Sequence, residues 1–558
     1  MVTFTDLLTR RQDDEATALL FENEVYTWRA LVEASRYRAE LARRLRRPGP
    51  FHIGILLDNV PEFLFWIGGA AFAGAAVVGI NPTRRGAELA ADIRHTDCQM
   101  LLTDRHHLPL VQGLDLGIGP DRLLVVDDPG WSDTLASDHG GGGPTAPGTP
   151  VDERTTLLLL FTSGSTGAPK AVVCSQGRLA GTAQTAAALF GFGDGDVLYQ
   201  AMPLFHGNAL MANWAPAVAL GAPVALARRF TASGFLPDVR RFGATYCNYV
   251  GRALAYILAT PEADDDADNP LRLAFGTEAS ARDMERFSAR FGCQVVESYG
   301  SSEGAITIRR QPGAPEASLG LPPDLPTMDI IIADPETPAE CPRARFDTHG
   351  GLVNGHEAIG EIVNRAGVPL FEGYYRNADA DGDRVGDGWY RSGDLGYRDE
   401  DGWFYFAGRG SDWLRVDSEN FAAAPIERIL SRWPPVVMAA VYPVPDVRTG
   451  DQVMAALELE GDADLDPDEL GAFLARQPDL GTKWAPRYVR CVSAMPLTAN
   501  NKVDKKPLRG DGWRRPTRLW WRPGTEPVSG WRPMTRRDVE GLLDEVRANG
   551  RQHLLVGP

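Results

Sequence analysis

The first 130 residues alternate short apolar runs with amphipathic segments. Apolar runs whose length and β-branched content predict strands lie at 53–57, 77–80, 101–103 and 123–126. Between them, apolar residues recur at helical spacing over Trp28–Leu45 and 88–95. Strands that alternate with helices are typical of a parallel sheet covered by helices. The pattern therefore predicts an α/β fold.

The stretch 63–80 contains no charged residue and is long enough to be weighed as a membrane span. It contains four glycines, its last residues are β-branched, and Asn81-Pro82 follows it directly. These features are typical of a core helix that runs into a buried strand. We therefore predict a buried segment and no transmembrane helix.

At 558 residues the chain exceeds what one hydrophobic core usually supports, so two or more domains are expected. The Gly- and Pro-rich stretch 137–150 predicts a surface loop. A smaller α/β segment follows residue 409, with strands predicted at 436–441 and 454–459 and a helix at 535–548. The predicted division is an N-terminal domain 1–409, a hinge 410–412, a C-terminal domain 413–509 and a C-terminal extension 510–558.

Charge and cysteine content exclude several classes of protein. With 57 Lys and Arg against 74 Asp and Glu, the net charge of −17 disfavours nucleic acid or an anionic membrane as the main partner. The 6 cysteines show no paired C-x-x-C spacing, so neither a disulfide framework nor a zinc site is indicated. The charged N-terminal residues contain no secretory signal, and the cytoplasm is the expected location.

The apolar run 157–161 leads directly into a loop rich in glycine and hydroxyl groups, with the sequence TSGSTGAPK. Small residues allow backbone N–H groups to converge on an anion, hydroxyls donate further hydrogen bonds, and a lysine supplies charge. The Walker A spacing is absent. We predict a phosphate-binding loop formed by Thr162, Ser163, Gly164, Ser165, Thr166, Gly167 and Lys170.

This loop resembles the phosphate loop of the adenylate-forming superfamily, which includes acyl-CoA synthetases, peptide-synthetase adenylation domains and firefly luciferase. Further motifs of that family follow in the expected order and extend the resemblance over nearly the whole chain. The resemblance implies a large N-terminal domain of layered α/β subdomains and a small mobile C-terminal α+β domain. It also implies ATP, Mg²⁺ and coenzyme A.

The segment ESYGSSE at 297–303 resembles the family's Y-G-x-T-E element, with Ser302 in place of threonine. The resemblance implies that Tyr299 stacks on adenine, Ser302 meets the α-phosphate and Glu303 holds Mg²⁺. An aromatic face suits a purine, and a hard carboxylate suits magnesium. By the same resemblance the nucleotide pocket includes Gly276, Thr277, Glu278, Ser298 and Gly300.

Two later motifs resemble the ribose-binding region and the C-terminal lysine loop of the family. Asp394 is implied to accept hydrogen bonds from both ribose hydroxyls, and Arg409 to contact ribose or phosphate. Lys502 is implied to neutralise charge between the acyl carboxylate and the α-phosphate during adenylation, although Asn501 replaces the usual glycine. The neighbouring lysines 505 and 506 are alternatives for that role.

The segment 202–209 resembles the one whose histidine gates the acid site, which makes His206 a candidate for orienting the carboxylate. Trp214 and Tyr249 are candidates for an apolar acyl pocket, although aromatic residues at such spacing are usually core. Residues 245–258 and 373–375 look most like fatty-acid-transport proteins and actinobacterial fatty-acyl-CoA synthetases. That likeness implies a hydrophobic acid, either a fatty acid or a bulky acid of an antibiotic pathway.

The coenzyme A face is implied at Ser418, Glu419 and Asn420, where the family usually has glycine before Glu-Asn. Ser418 adds a side chain in the path of the pantetheine arm. One hypothesis is that transfer to coenzyme A is weakened or delegated to a partner enzyme; the alternative is that serine is small enough to be tolerated.

Together, the motifs predict an AMP-forming acid–thiol ligase that makes an acyl-adenylate from a hydrophobic acid and transfers the acyl group to coenzyme A. Its predicted catalytic residues are Thr162, His206, Glu303 and Lys502. Alternatives are an adenylating half-enzyme, a luciferase-like monooxygenase and a non-catalytic nucleotide or acyl-adenylate sensor. Retention of both Glu303 and Lys502 argues against the sensor.

Overall fold

A computed structural model of the protein describes most of the chain. The described residues are 2–136, 150–162, 170–251, 253–277, 279, 281–311, 313–315, 318–334, 337–347, 352–409, 413–416, 419–446, 450–477, 480, 483–498, 502–524 and 528–548. The predicted loop 137–150 (apart from its last residue), the hinge 410–412 and Ser418 lie outside them.

Strands and helices alternate through the N-terminal half of the chain. The strands are β1 Thr17–Phe21, β2 Glu24–Thr27, β3 His52–Leu56, β4 Ala76–Gly79, β5 Cys98–Thr103, β6 Leu123–Val125, β7 Thr156–Thr162, β8 Lys170–Ser175, β9 Leu198–Gln200, β10 Val224–Leu226, β11 Tyr246–Val250, β12 Leu273–Thr277, β13 Gln294–Gly300, β14 Thr307–Arg309, β15 Ile330–Ala333, β16 Gly360–Asn364, β17 Val385–Gly386, β18 Trp389–Arg398, β19 Phe404–Arg409, β20 Trp413–Val416, β21 Glu419–Ala422, β22 Val436–Asp446, β23 Gly450–Leu459, β24 Tyr488–Val492, β25 Leu519–Trp521 and β26 Arg532–Pro533. The α-helices are α1 Phe4–Thr9, α2 Trp28–Leu45, α3 Pro61–Ala73, α4 Gly86–His95, α5 Leu108–Val111, α6 Trp131–Ala136, α7 Gln176–Leu189, α8 Gly207–Ala209, α9 Ala215–Leu220, α10 Ala232–Phe242, α11 Ala253–Leu258, α12 Ala281–Phe291, α13 Gly355–Ala358, α14 Ala378–Arg384, α15 Ala423–Ser431, α16 Pro467–Ala475, α17 Lys505–Asp511 and α18 Arg536–Ala548. A short π-helical segment, Leu210–Trp214, links α8 to α9.

The chain divides into two compact units. The first unit comprises residues up to Ala305 together with Pro369–Asp383, and it contains two largely parallel sheets. One sheet has the order β6-β5-β3-β4-β7-β8, with only β8 antiparallel to its neighbour. The other runs β13-β12-β11-β9-β10-β1-β2, with only β2 antiparallel. These sheets confirm the predicted α/β class.

The uncharged stretch 63–80 forms helix α3 and strand β4, as the sequence predicts. Pro61 stands in the first turn of α3, where its missing N–H is not needed, and Gly74 ends the helix at φ +68°. Gly69 allows close packing on α2, since a Cβ there would lie 2.7 Å from the Arg38 Cβ. The helix is therefore a core element. Among the described helices, none has both the length and the apolar character of a bilayer crossing.

The second unit comprises Ile306–Val368 and Arg384–Pro558 and holds two further sheets. One is antiparallel, with the order β15-β16-β18-β17 and β19 paired to β18. The other has the order β21-β20-β23-β24-β25-β26, with β22 paired to β23.

Alternate residues of strands β22 to β24 face two separate hydrophobic clusters, because side chains of a strand point to opposite faces. Val441 and Val453 belong to one cluster, Tyr442 and Met454 to the other. The chain after residue 510 covers the second face, contributing β25, which pairs with β24, and the buried Trp513. The C-terminal extension is thus part of the core that holds strands β22 to β24.

Candidate active site

Two strands of the first unit bracket the predicted phosphate loop. Thr162 is the last residue of β7 and Lys170 the first of β8, and the two are direct antiparallel partners. The Thr162 hydroxyl lies 3.5 Å from the Lys170 carbonyl oxygen, to which it donates. The hairpin therefore fixes both ends of the loop; Ser163, Gly164, Ser165, Thr166 and Gly167 lie outside the described residues.

The Lys170 side chain is only 10% exposed and has two neighbours that attract a cation. Its Nζ lies 3.9 Å from the Asp383 carboxylate and 5.8 Å from the centre of the Tyr374 ring. A carboxylate and an aromatic face both attract an ammonium group. The ammonium is thus held at the start of β8, beside the end of the phosphate loop.

Glu303 is buried, at 5% exposure, and accepts a hydrogen bond of 2.6 Å from the Tyr374 hydroxyl. Residues 373–375 lie along strand β8: Val173 donates to the Gly373 carbonyl at 3.0 Å, and Tyr375 donates to the Ala171 carbonyl at 2.8 Å. This pairing brings Tyr374 to Glu303. Sequence reasoning used residues 373–375 only as a marker of the family branch and missed the contact.

Glu303 is the residue that the sequence assigns to magnesium. Among the described residues, no group of three or more His, Cys, Asp or Glu side chains is arranged to hold a metal ion. Mg²⁺ is commonly bound by one or two carboxylates, with substrate phosphates and water completing the shell. A single buried carboxylate therefore fits magnesium that arrives with ATP, and does not fit a metal held by protein ligands alone.

Arg178 supports the turn that carries Ser302. The sequence did not indicate this role for Arg178. The Arg178 guanidinium donates to the Ser302 carbonyl and, at 2.9 Å, to the Val173 carbonyl. Gly304 makes room for it: its φ is +72°, and a Cβ there would lie 2.5 Å from the guanidinium. The Ser302 side chain, half-buried, in turn approaches Gly207, where a Cβ would lie 3.0 Å from the Ser302 Oγ.

Tyr249 and Glu297 connect the carboxyl ends of strands β11, β12 and β13. The Tyr249 ring packs on Gly276, where a Cβ would lie 2.5 Å from the ring. Glu297 accepts from the Tyr249 hydroxyl at 3.2 Å and from the Ala279 N–H at 2.6 Å. Burial first, and the Glu297 charge second, raise the pKa of Tyr249, so the hydroxyl stays protonated and donates.

The other predicted nucleotide residues of this unit lie at the same strand ends. Thr277 is the half-buried last residue of β12. Ser298, Tyr299 and Gly300 are the last three residues of β13. Glu278 lies outside the described residues.

The three acyl-site candidates have different surroundings. His206 is half-buried directly before α8, and its ring packs against Phe205 at a centroid distance of 4.2 Å. Trp214 is wholly buried and stacks on Trp28 of α2 at 5.8 Å. The structure thus places both Trp214 and Tyr249 within the core of the first unit, where Tyr249 packs on Gly276.

In the second unit, the two predicted ribose residues are direct partners across an antiparallel pair. Asp394 of β18 lies opposite Arg409 of β19. Glu361 holds the irregular stretch of β18 just before Asp394, accepting from the Gly393 N–H at 2.7 Å and from the Arg391 Nε at 2.8 Å. Sequence reasoning missed Glu361, which lies on the neighbouring strand β16. The Arg409 side chain is outside the described part.

Thr498 and Lys502, the described residues on either side of the middle of the predicted lysine loop, are hydrogen-bonded to each other. The Thr498 N–H donates to the Lys502 carbonyl at 2.7 Å, and the Lys502 N–H donates to the Thr498 hydroxyl at 3.3 Å. Lys505, one alternative to Lys502, lies 2.8 Å from the Glu427 carboxylate, which also accepts from the Val441 N–H at 2.7 Å. Lys505 is therefore bound to the body of the C-terminal sheet.

The predicted coenzyme A residues lie at strand β21. The backbone of Glu419 and Asn420 is in that strand, while their side chains, like Ser418, fall outside the described part.

Two family models and several known proteins match the chain. The family model described as AMP-binding enzyme matches residues 8–375, and the model described as AMP-binding enzyme C-terminal domain matches 425–502. A steroid-22-oyl-CoA synthetase from Rhodococcus jostii is 52% identical over 556 residues, covering 99% of each chain. A medium/long-chain-fatty-acid–CoA ligase from Mycobacterium marinum is 45% identical, covering 88% of this chain and 93% of the relative.

Solved structures show the same fold at low sequence identity. The anthranilate CoA ligase in complex with anthranoyl-AMP superposes with a TM-score of 0.78 at 21% identity, covering 91% of this chain and 96% of that chain. The ATP-bound MatB from Rhodopseudomonas palustris gives a TM-score of 0.77 at 22% identity, covering 90% and 98%. The predicted adenylate-forming fold is confirmed. The chain belongs to the AMP-binding enzyme family, as an AMP-forming acyl-CoA ligase that uses ATP, Mg²⁺ and coenzyme A.

Proposed function

We propose that this ligase activates a polycyclic acid of the steroid type. The observation that carries the proposal is the 52% identity, over 99% of both chains, to the steroid-22-oyl-CoA synthetase. A medium- or long-chain fatty acid is the second candidate, since the fatty-acid–CoA ligase is 45% identical over a smaller share of this chain, 88%. The adenylating half-enzyme and the sensor are not favoured, because both relatives are CoA ligases.

For the first unit we propose that Thr162 and Lys170, with the loop between them, bind ATP phosphates. Magnesium, when bound with ATP, offsets charge on the phosphate oxygens. Glu303 would hold it, and the Tyr374 hydroxyl keeps that carboxylate in one orientation through its 2.6 Å hydrogen bond. Gly276 and the last residues of β13 would line the adenine site, with Tyr299 as the stacking partner.

In the second unit, Asp394 and Arg409 are proposed to bind ribose, a role that their pairing across β18 and β19 supports. Lys502 is proposed as the cation that neutralises charge while the acid attacks the α-phosphate. Lys505, the alternative, forms an ion pair of 2.8 Å with Glu427.

His206 is proposed to orient the acid. We also propose a hinge at 410–412 that separates a domain 1–409 from a C-terminal domain 413–509, and coenzyme A contacts at Ser418, Glu419 and Asn420. The cytoplasm is the proposed location, a choice supported by the six described cysteines, none of which is in a disulfide bond.

A mass-spectrometric assay tests the substrate class. The protein is incubated with Mg-ATP, coenzyme A and either a steroid side-chain acid or a saturated fatty acid, and acyl-AMP and acyl-CoA are measured separately. We expect kcat/KM for acyl-CoA formation to be higher with the steroid acid. A higher value with the fatty acid would transfer the proposal to the second candidate, and acyl-AMP without acyl-CoA would support the obstruction by Ser418.

A further inference from the structure

Three asparagine side chains of the first unit form a hydrogen-bonded chain. Asn213 Nδ2 donates to Asn248 Oδ1 at 2.9 Å, and Asn248 Nδ2 donates to Asn208 Oδ1 at 2.7 Å. Asn213 is wholly buried and Asn248 is 3% exposed, whereas Asn208, in α8, is half-buried. The chain thus leads from the core to a side chain that a ligand can reach.

A backbone carbonyl fixes the orientation of all three amides. The oxygen and nitrogen of an asparagine amide have to be assigned from their partners. Asn213 Nδ2 also lies 2.9 Å from the Tyr199 carbonyl oxygen, which can only accept. Asn213 must therefore donate, so Asn248 presents its oxygen to Asn213 and its nitrogen to Asn208. The Asn208 oxygen is used as the acceptor, and its two N–H donors point away from Asn248.

Asn213 keeps this orientation at a cost in stability. Its Oδ1 atom is buried and has no hydrogen-bond partner among the described residues. An unsatisfied buried acceptor costs about 1–3 kcal/mol, which an apolar residue of the same shape would avoid. Asn213 also lies in the π-helical segment Leu210–Trp214, a form that occurs frequently at functional sites. Both features indicate that Asn213 serves orientation rather than stability.

Asn208 lies close to two residues already proposed for the reaction. It is two positions after His206, and its neighbour Gly207 approaches the Ser302 Oγ, at 3.0 Å from a Cβ built on the glycine. Within the part of the chain that the structure describes, the hydrogen bond from Asn248 is the one hydrogen bond of the Asn208 amide. Two oriented N–H donors are thus available where the acid is proposed to bind.

We infer that Asn208 donates a hydrogen bond to an acceptor oxygen of the acyl substrate, and that Asn248 and Asn213 are positioning residues that aim its amide. The inference rests on the proposed function, which it deepens by naming a contact to the acid. The oxygen can belong to the carboxylate, which every acid has, or to a hydroxyl or ketone on the hydrocarbon skeleton. A fatty acid without such a group distinguishes the two sources.

The test uses Asn208→Asp in the full-length protein. The substitution keeps an acceptor for Asn248 but replaces the two donors with a carboxylate oxygen of the same shape. We expect kcat/KM for the acid to fall at least about tenfold, with the KM for ATP unchanged. A fall with both an oxygenated steroid acid and a plain saturated fatty acid assigns the carboxylate; a fall with the steroid acid alone assigns the skeleton oxygen.

Two further variants complete the experiment. Asn248→Leu leaves Asn208 intact but removes its orientation, and we expect a smaller loss in the same constant. Asn23→Asp is the matched control: Asn23 is exposed, and its oxygen accepts from Arg241, which an aspartate can replace, so its kinetics should equal wild type.

Unchanged kcat/KM of Asn208→Asp, on acids that the wild type activates, would overturn the inference. Loss in Asn208→Asp with none in a folded Asn248→Leu would overturn the positioning role. If the wild type activated neither class of acid, the proposed function itself would fail.

Discussion

The hydroxyl of Tyr374 donates a hydrogen bond of 2.6 Å to the carboxylate of Glu303, and both side chains are buried. The two residues are 71 positions apart in the chain. A buried carboxylate needs hydrogen-bond donors to offset its lost hydration. Tyr374 supplies one such donor, to the Oε1 atom of Glu303.

Removing the Tyr374 hydroxyl should impair adenylation. In Tyr374→Phe the Glu303 carboxylate loses a charge-assisted hydrogen bond, and we expect the rate of ATP–pyrophosphate exchange to fall about tenfold. The concentration of Mg²⁺ needed for half-maximal rate should change in the same variant. Tyr375→Phe is the matched control, because its hydroxyl donates to Asp97 at 2.7 Å rather than to Glu303. Equal kinetics of the two variants would contradict the role of Tyr374.

The lysine of the C-terminal loop is tested by a pair of alanine variants. Lys502→Ala should abolish acyl-AMP formation, since it removes the ammonium proposed to neutralise the charge that develops at the α-phosphate. Lys505→Ala should keep adenylation but lower the free energy of unfolding by about 1 kcal/mol, because it breaks the partly exposed ion pair with Glu427. Acyl-AMP is measured by mass spectrometry and stability by urea unfolding. Full adenylation by Lys502→Ala would refute the assignment.

If Asp394 binds the ribose hydroxyls, its substitution should change how strongly the enzyme discriminates between ATP and 2′-deoxy-ATP. Asp394→Asn removes the charge that strengthens hydrogen bonds from ribose hydroxyls, and the KM for ATP should rise roughly tenfold. The wild type should discriminate against 2′-deoxy-ATP, and the variant should do so much less. Steady-state kinetics with both nucleotides measures this. Undiminished discrimination in the variant would exclude Asp394 as the partner of the 2′-hydroxyl.

Close packing at Gly276 predicts a loss of stability. A methyl group there would lie 2.5 Å from the Tyr249 ring and from the Tyr249 carbonyl oxygen, so Gly276→Ala should lower the free energy of unfolding by about 1–3 kcal/mol. Thermal denaturation measures the effect. Gly181→Ala is the control, since Gly181 is exposed in α7 with open space around it and should gain about 0.5–1 kcal/mol from helix propensity. A Gly276→Ala variant as stable as wild type would show that strand β11 can move away.

Local patterns determined much of the fold. The alternation of apolar runs and helical periodicity located β3 to β6 and both ends of α2. This was possible because a helix or strand with one buried face has apolar residues at regular spacing along the sequence. Strand β22 extends to Asp446, beyond its apolar run, because pairing with β23 continues through Pro445. The length of a paired strand depends on its neighbouring strand, and the apolar run of β22 gives no information about that neighbour.

The sequence by itself also predicted the chemistry of the site: a loop of glycines, hydroxyls and a lysine, a carboxylate after Tyr-Gly, and a late lysine. Each is a local property of residue type and spacing. Only the tertiary structure decided which residues meet, namely Tyr374 with Glu303, Arg178 with Ser302 and Lys505 with Glu427. It also placed Trp214 in the core. The physical reason is that these contacts join segments far apart in the chain, and their meeting depends on strand order and packing rather than on either segment alone.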